Sequence, residues 1–248
     1  MAVNTPPSPA PQLTSTARLA PPAAEPMQPE LWAKVDQYIA DLLVPPDPLL
    51  EAALQASTDA GLPAIQVSPT QGKLLQLLAR VQGARAILEI GTLGGYSTIW
   101  LARALPVGGH LITLEANPKH AEAALANLAR AGLANVVELR LGPALETLPK
   151  LAEEKRGPFD LIFIDADKVS MPDYFAWALK LARIGTLIIA DNVVRIGKLI
   201  EAASDDPNVQ GARRLHEVLA MEPRVSATTI QTVGSKGYDG FALAVVIS

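Results

Sequence analysis

From residue 84 onward the chain alternates two hydrophobic patterns. Short apolar runs predict β-strands over 86–90, 110–115, 136–141, 160–165 and 186–190. Apolar residues that recur every three or four positions predict helices over 97–104, 119–131, 143–151 and 174–182. Because strands that alternate with helices pair in parallel, this region predicts a mostly parallel sheet with helices on both faces.

The two ends of the chain differ from this repeat. Residues 1–29 contain eight prolines and no apolar periodicity, which predicts a disordered tail. Residues 30–80 predict helices over 31–43, which Pro45 and Pro46 end, over 49–60, and from Ser68 onward. After a predicted helix over 209–221, β-type runs at 225–233 and 240–247 flank a short turn, so these strands are antiparallel. The fold class is a Rossmann-like α/β fold with a C-terminal antiparallel hairpin.

Composition narrows the class of protein. With 248 residues, of which 49% are hydrophobic, we expect one domain over 30–248. A net charge of −4 without a basic block argues against nucleic acid as a partner, which leaves small molecules. The sequence has no cysteine, no apolar run near the roughly 20 residues that span a membrane, and no signal-peptide pattern. We therefore expect no membrane partner and a cytoplasmic location.

The first predicted strand runs into a glycine-rich turn, Glu89-Ile-Gly-Thr-Leu-Gly-Gly-Tyr-Ser97. Bare backbone at its glycines lets a ligand approach closely, and the following helix offers free N–H groups to an anion. The spacing does not fit the NAD fingerprint, because Leu93 stands where that fingerprint has its second glycine. An acidic residue two positions before the first glycine suits a cationic amino-acid tail, which indicates S-adenosylmethionine.

Two further strand ends fit such a cofactor. Glu115 ends the second predicted strand, where a carboxylate can accept hydrogen bonds from ribose hydroxyls. The segment 141–144 ends the third strand and contains Gly142 and Pro143. It either lies along an adenine edge or is an ordinary strand-to-helix turn.

A second group of polar residues follows the fourth and fifth predicted strands. Asp165, Asp191 and Asn192 emerge at the same sheet edge as the glycine turn. Three oxygen donors without a soft ligand suit Mg²⁺, or another hard divalent cation such as Mn²⁺ or Ca²⁺. An aromatic vicinal diol can add two oxygens, and the metal lowers the pKa of its hydroxyl. Lys168 is then a candidate general base, or else part of an exposed turn pair with Asp167.

These motifs, in this order, resemble the cation-dependent O-methyltransferases of the caffeoyl-CoA and catechol type, particularly their bacterial members. The resemblance runs from about Leu31 to the C-terminus and implies a class I methyltransferase fold. It implies that Asp165, Asp191 and Asn192 bind the metal and that Lys168 and Asp165 are catalytic. It also implies a set of residues around S-adenosylmethionine, namely Val67, Glu89, Gly91, Thr92, Ser97, Glu115, Ala144, Asp165 and Asp167.

The chain departs from the plant members of that family after Asn192. It reads Val-Val-Arg-Ile-Gly-Lys198 there, without the tryptophan and asparagine of the caffeoyl-CoA enzymes. The sequence therefore identifies the acceptor only as a catechol-like phenol and not as an individual compound.

The predicted function is divalent-cation-dependent transfer of a methyl group from S-adenosylmethionine to a catechol-like hydroxyl. The alternatives are an NAD-linked oxidoreductase and a non-catalytic cofactor-binding protein. We also expect a homodimer, with the helix 31–43 either at the contact or over the core. The three histidines, His110, His120 and His216, are predicted to occupy ordinary surface positions.

Overall fold

The computed structural model describes residues 28–248. The predicted tail therefore lies, as far as residue 27, outside the described residues. Helix α1 begins at Pro29, two residues before the predicted start, because Pro29 occupies the first helical turn, where a missing N–H does no harm. None of the helices within residues 28–248 combines the length and the apolarity that crossing a membrane requires.

Eight α-helices and seven strands are found in the described part of the chain. The helices are α1 (Pro29–Leu43), α2 (Pro48–Asp59), α3 (Pro69–Val81), α4 (Tyr96–Ala102), α5 (Pro118–Arg130), α6 (Ala144–Glu153), α7 (Met171–Lys180) and α8 (Pro207–Met221). The strands are β1 (Ala86–Ile90), β2 (His110–Glu115), β3 (Val137–Leu141), β4 (Phe159–Ile164), β5 (Ala182–Asp191), β6 (Val225–Gly234) and β7 (Gly237–Val246).

All seven strands form one sheet in the order β3-β2-β1-β4-β5-β7-β6. The first five are parallel, whereas β7 is antiparallel to both β5 and β6. Two cores cover the sheet: Leu88 and Ile90 of β1 belong to the core on one face, and Ile87 to the core on the other. The predicted fold class is confirmed. Because β1 to β5 are parallel, their carboxyl ends meet at one edge of the sheet.

The largest boundary errors lie at β5 and at the hairpin. Strand β5 begins at Ala182, not at residue 186, because Ala182 already pairs with Phe159 across a register shift, and α7 ends at Lys180. Strand β7 begins at Gly237, which has a φ of +87°, so the hairpin turn is only Ser235 and Lys236. A glycine in this left-handed conformation lets the strands pair almost to the turn.

The N-terminal helices pack on the sheet through polar contacts as well as apolar ones. Ser68 and Gln71 form a reciprocal capping box at the predicted start of α3. Asp36 of α1 accepts hydrogen bonds from Thr70 and from Ser235 in the hairpin turn. Helix α1 has no buried residue, so its apolar side chains do not cap the core.

Candidate functional site

A cavity of about 580 Å³ opens at the carboxyl ends of the parallel strands. Ten of the predicted site residues line it, namely Val67, Gly91, Thr92, Ser97, Glu115, Ala144, Asp165, Asp167, Lys168 and Asn192. Glu89 and Asp191 do not line this cavity. The sheet thus brings the glycine turn, the second strand end and the segment after β4 into one site.

Gly91 allows the loop after β1 to touch the loop after β4. It has a φ of +100°, and a Cβ atom built on it would lie 2.1 Å from the carbonyl oxygen of Asp165. The Asp165 amide N–H in turn donates to the Ile90 carbonyl at 2.8 Å. A side chain at residue 91 would therefore push apart the two loops that form the cavity wall.

Glu89 lies behind the cavity wall. Its carboxylate is completely buried and accepts hydrogen bonds from the hydroxyls of Ser97, Thr98 and Thr113. Complete burial raises the pKa of Glu89 to about 7, and the hydroxyl donors offset that rise only in part. In this arrangement Glu89 orients Ser97, which does reach the cavity. A direct contact of Glu89 with a ligand stays a prediction.

Glu115 holds the glycine turn while it faces the cavity. One of its oxygens accepts the backbone N–H groups of Thr92 and Leu93, at 3.3 and 2.8 Å, and the other accepts that of Asn117 at 2.9 Å. Leu93 needs this support because it adopts a left-handed φ of +50° without being glycine. A carboxylate has about four acceptor positions, so Glu115 retains capacity for a ligand hydroxyl.

His120 is a site residue that the sequence analysis missed. It lines the cavity, and its Nδ1 atom lies 3.5 Å from Oε1 of Glu115. His120 is half-buried because the start of α5 lies over the end of β2, and a role beyond lining the cavity stays a prediction. His216, by contrast, bonds the Ala212 carbonyl and the Thr229 hydroxyl away from the cavity.

The segment after β4 carries three charged groups. Lys168 is buried and its Nζ donates to Oδ1 of Asp165 at 3.0 Å. Asp167 accepts from the Ser170 amide and from the hydroxyl of Tyr174, a second cavity residue that the sequence analysis missed. Burial opposes ionisation of Asp167, but these hydrogen bonds outweigh it and hold the pKa of Asp167 below its ordinary value.

Asp191 and Asn192 follow on the neighbouring strand end. Asp191 is buried at the last position of β5, and Asn192 adopts a left-handed φ of +55° and reaches the cavity. Burial raises the pKa of Asp191 to about 7, and the negative charge of nearby Asp165 adds to the rise. Lys168 donates a hydrogen bond to only one of these two carboxylates.

The donor set at this edge fits a hard divalent cation. It combines two carboxylates and an amide oxygen, and the close carboxylates carry a buried charge that a cation would compensate. Within residues 28–248 no group of three or more His, Cys, Asp or Glu side chains forms a metal cluster, which is consistent with a set whose third member is Asn192.

Many known proteins are similar to this chain in sequence or in fold. The chain is 56% identical to the catechol O-methyltransferase of Niastella koreensis over 220 residues, which are 89% of this chain and 100% of that protein. The O-methyltransferase from Bacillus cereus, in complex with SAH, is 62% identical with a TM-score of 0.87, over 88% of this chain and 100% of that one. The O-methyltransferase TomG from Streptomyces achromogenes, involved in tomaymycin synthesis and in complex with SAM, is 52% identical with a TM-score of 0.87, over 90% and 100%.

A family model described as O-methyltransferase matches residues 44–245. This match covers the sheet up to residue 245, one residue short of the end of β7, and all the cavity residues named above. The same match argues against the oxidoreductase alternative, since the glycine turn and the terminal hairpin are those of a methyltransferase. The chain therefore belongs to the family of S-adenosylmethionine-dependent O-methyltransferases.

Proposed function

We propose that this protein transfers a methyl group from S-adenosylmethionine to one hydroxyl of a catechol-like phenol. The reaction would depend on a divalent cation, and Mg²⁺ is the cation that we expect. The observation that carries the proposal is the convergence of four strand ends, those of β1, β2, β4 and β5, on one cavity. We assign the glycine turn and Glu115 to the cofactor and Asp165, Lys168 and Asn192 to the acceptor. The cofactor and the phenolic acceptor would then bind next to each other in this cavity.

The cofactor end is supported by polar groups that match its parts. Glu115 and His120 line the cavity 3.5 Å apart, and together they can offer an acceptor and a donor to ribose hydroxyls. Ser97, Gly142 and Ala144 complete the wall around it. The bound SAH and SAM of the two solved relatives support this assignment.

The acceptor end is supported by the oxygen donors after β4 and β5. Asp165, Asp191 and Asn192 would hold the cation, which supplies a positive charge that lowers the pKa of a phenolic hydroxyl. The catechol O-methyltransferase named above, 56% identical over its whole length, supports a catechol as the acceptor.

The chain's own residues then do the work of positioning and proton removal. The two ends of the cavity bring the phenolic oxygen near the methyl carbon, and an approach of roughly 3 to 3.5 Å removes much of the entropic barrier. An O–C bond forms as the S–C bond breaks, and we assign the phenolic proton to Lys168 Nζ. The buried surroundings of Lys168 and Asp191 exclude water, which favours the union of opposite charges.

Calorimetry tests the cofactor assignment. S-Adenosylhomocysteine is expected to bind and NAD is not. Glu115→Ala is expected to weaken S-adenosylhomocysteine binding by about 1.5 to 3 kcal/mol, the range for hydrogen bonds to a charged group. Glu115→Gln is the matched variant, because its amide oxygen can still accept the Thr92 and Leu93 amides and so separates loop support from ligand contact. Unchanged affinity in a folded Ala variant would remove Glu115 from the site.

Chelation tests the acceptor and the metal. Product from a panel of catechols is measured by mass spectrometry before and after EDTA. Treatment with EDTA is expected to abolish transfer, and Mg²⁺ or Mn²⁺ is expected to restore it. Full activity after exhaustive chelation refutes the metal, and the absence of product from every catechol refutes the acceptor class.

A further inference from the structure

Arg195 is only loosely paired within the described chain. Its Nε atom is buried and has no hydrogen-bond partner among residues 28–248. Its nearest carboxylate oxygen, Oδ2 of Asp239, lies 3.8 Å from Nη1, which is too far for a good hydrogen bond. Since a buried donor without a partner is costly, its persistence at a cavity wall indicates a partner that arrives from outside.

The side chain stands between two cavities. Arg195 lines the main cavity, together with Asn192 and Lys168, and also a second one of about 370 Å³. Lys198, Lys236 and Trp32 line this second cavity and not the first. An acceptor whose hydroxyls face Asn192 would therefore direct its remaining substituent past the guanidinium toward a space in which Lys198 and Lys236 stand beside Asp206 and Asp239.

The backbone holds Arg195 in this place against its own preference. Arg195, Ile196 and Gly197 have consecutive left-handed φ values of 57°, 57° and 80°. For a β-branched residue such as Ile196 this conformation is strongly disfavoured. Asp239 stabilises the turn, because its Oδ1 accepts the backbone N–H groups of Val194 and Arg195, both at 2.9 Å. Strain of this kind, held by a dedicated side chain, is typical of functional positions.

We propose that Arg195 is a specificity residue that binds a carboxylate on the acceptor, so that the preferred substrates are ortho-dihydroxyaromatic acids and not neutral or cationic catechols. A carboxylate is the natural partner because the planar guanidinium presents paired N–H donors that match its two oxygens. Asp239 reaches the guanidinium only through Oδ2, at 3.8 Å, because its Oδ1 is engaged by the turn, so a closer carboxylate can still take the paired donors. This inference rests on the proposed function, whose acceptor class it narrows.

The test compares 3,4-dihydroxybenzoate with its methyl ester, which has the same ring and hydroxyls but no charge. The wild-type enzyme is expected to favour the acid in kcat/KM by at least about tenfold, as a charge-assisted hydrogen bond implies. Arg195→Gln is expected to erase this preference by lowering kcat/KM for the acid, while the value for the ester stays within threefold. Arg195→Lys keeps the positive charge but lacks the planar pair of N–H donors, so it is expected to retain part of the preference for the acid.

Binding of the two compounds in the presence of S-adenosylhomocysteine, measured by calorimetry, gives a second readout that needs no turnover. The acid is expected to bind more tightly than the ester to the wild type and equally to Arg195→Gln. Arg224→Gln, at an exposed arginine paired with Glu222, is the matched control and is expected to behave as the wild type.

Two results would overturn the inference. One is a wild-type enzyme that treats acid and ester alike in both readouts. The other is an equal loss for both compounds in Arg195→Gln, which would make Arg195 a support of the turn. If neither compound is methylated although S-adenosylhomocysteine binds, the proposed acceptor class has failed, and the calorimetric comparison still decides whether Arg195 selects the acid.

Discussion

At the scale of single residues, Lys168 has two separable roles. As an ammonium group it compensates Asp165, whose Oδ1 lies 3.0 Å from its Nζ, whereas only the neutral amine, left after release of a proton, can accept the phenolic proton as proposed. Arginine can take over the first role but not the second, because a guanidinium does not release its proton in a protein. The pair of variants Lys168→Ala and Lys168→Arg therefore distinguishes charge compensation from general base catalysis.

We expect both Lys168 variants to retain S-adenosylhomocysteine binding while kcat falls roughly 10²- to 10⁴-fold, the span of a lost general base. The loss is expected to shrink for catechols with more acidic hydroxyls, which ionise without help. The measurement is kcat across catechols of graded acidity in wild type and variants. A loss below threefold for every acceptor, or full rescue by arginine, would mean that Lys168 only compensates charge.

Glu89 makes the stability of the protein depend on pH. In the unfolded chain its pKa is near the ordinary 4.5, whereas burial raises it to about 7 in the folded protein. Below pH 4.5 both states hold the proton. Between pH 4.5 and 7 only the folded state holds it, so the free energy of unfolding falls as the pH rises, by on the order of 3 kcal/mol at most.

Glu89→Gln removes this titration and keeps an oxygen that can accept the neighbouring hydroxyls. We expect the Tm of the variant, relative to the wild type, to rise between pH 5 and pH 7 and to level off above that, without added cofactor. Thermal unfolding at several pH values measures it, and Glu122→Gln on the exposed side of α5 is the control, expected to follow the wild type. A constant difference across the range would mean that Glu89 does not titrate there.

At the scale of elements, the glycine turn after β1 has two roles: it contacts the loop after β4, and it forms part of the candidate ligand site. Gly91→Ala introduces a Cβ atom 2.1 Å from the Asp165 carbonyl oxygen. Gly83 also has a positive φ, +63°, but a Cβ atom there meets nothing within 4 Å. The two substitutions share a strained backbone and differ in the clash.

We expect Gly83→Ala to lower stability by about 1 to 2 kcal/mol and to leave S-adenosylhomocysteine binding unchanged. Gly91→Ala is expected to lower stability further and to weaken that binding at least tenfold, because the wall of the cavity must move. Denaturant unfolding and calorimetry measure the two effects. Equal binding by both variants would show that the contact between the loops does not shape the site.

At the scale of the whole molecule, α1 presents an apolar stripe that the described chain does not cover. Leu31, Val35, Tyr38 and Leu42 follow one another at spacings of four, three and four, and Tyr38 and Leu42 are 67% and 63% exposed. Exposed apolar surface of this length on a helix is typical of an interface. It supports the predicted homodimer, with α1 at the contact.

We expect the wild type to have a dimeric mass by light scattering and Tyr38→Glu to shift it toward the monomer, because a charge would have to be buried in the contact. Gln37→Glu, on the same helix but off the stripe, is the control and is expected to remain dimeric. A monomeric wild type under the same conditions would contradict the prediction.

The sequence by itself determined the fold class and predicted ten of the residues that line the cavity. Strands β1 and β4 are buried on both faces, so they appear as apolar runs broken only by Glu89 and Asp160, and polar residues follow them at the cavity edge. The start of α3 and the order of the elements followed from equally local signals, namely a capping box and the change of hydrophobic period. A local sequence pattern is enough to predict an element or a site residue where one short segment carries both the structural and the functional signal.

Only the tertiary structure decided the contacts between segments that are distant in the sequence. His120 and Tyr174 reach the cavity because α5 and α7 fold back over the ends of strands. The residues next to His120 and Tyr174 in the sequence do not indicate this packing. Burial behind Ser97 makes Glu89 a support and gives it an unusual pKa, although its position in the motif indicated a ligand contact. The loose pairing of Arg195 depends likewise on Asp239, more than forty residues away, whose Oδ1 fixes the turn while only its Oδ2 faces the guanidinium, at 3.8 Å. Burial and pairing of charges are properties of the packed molecule, because they depend on every element that surrounds a group and not on the residues beside it in the chain.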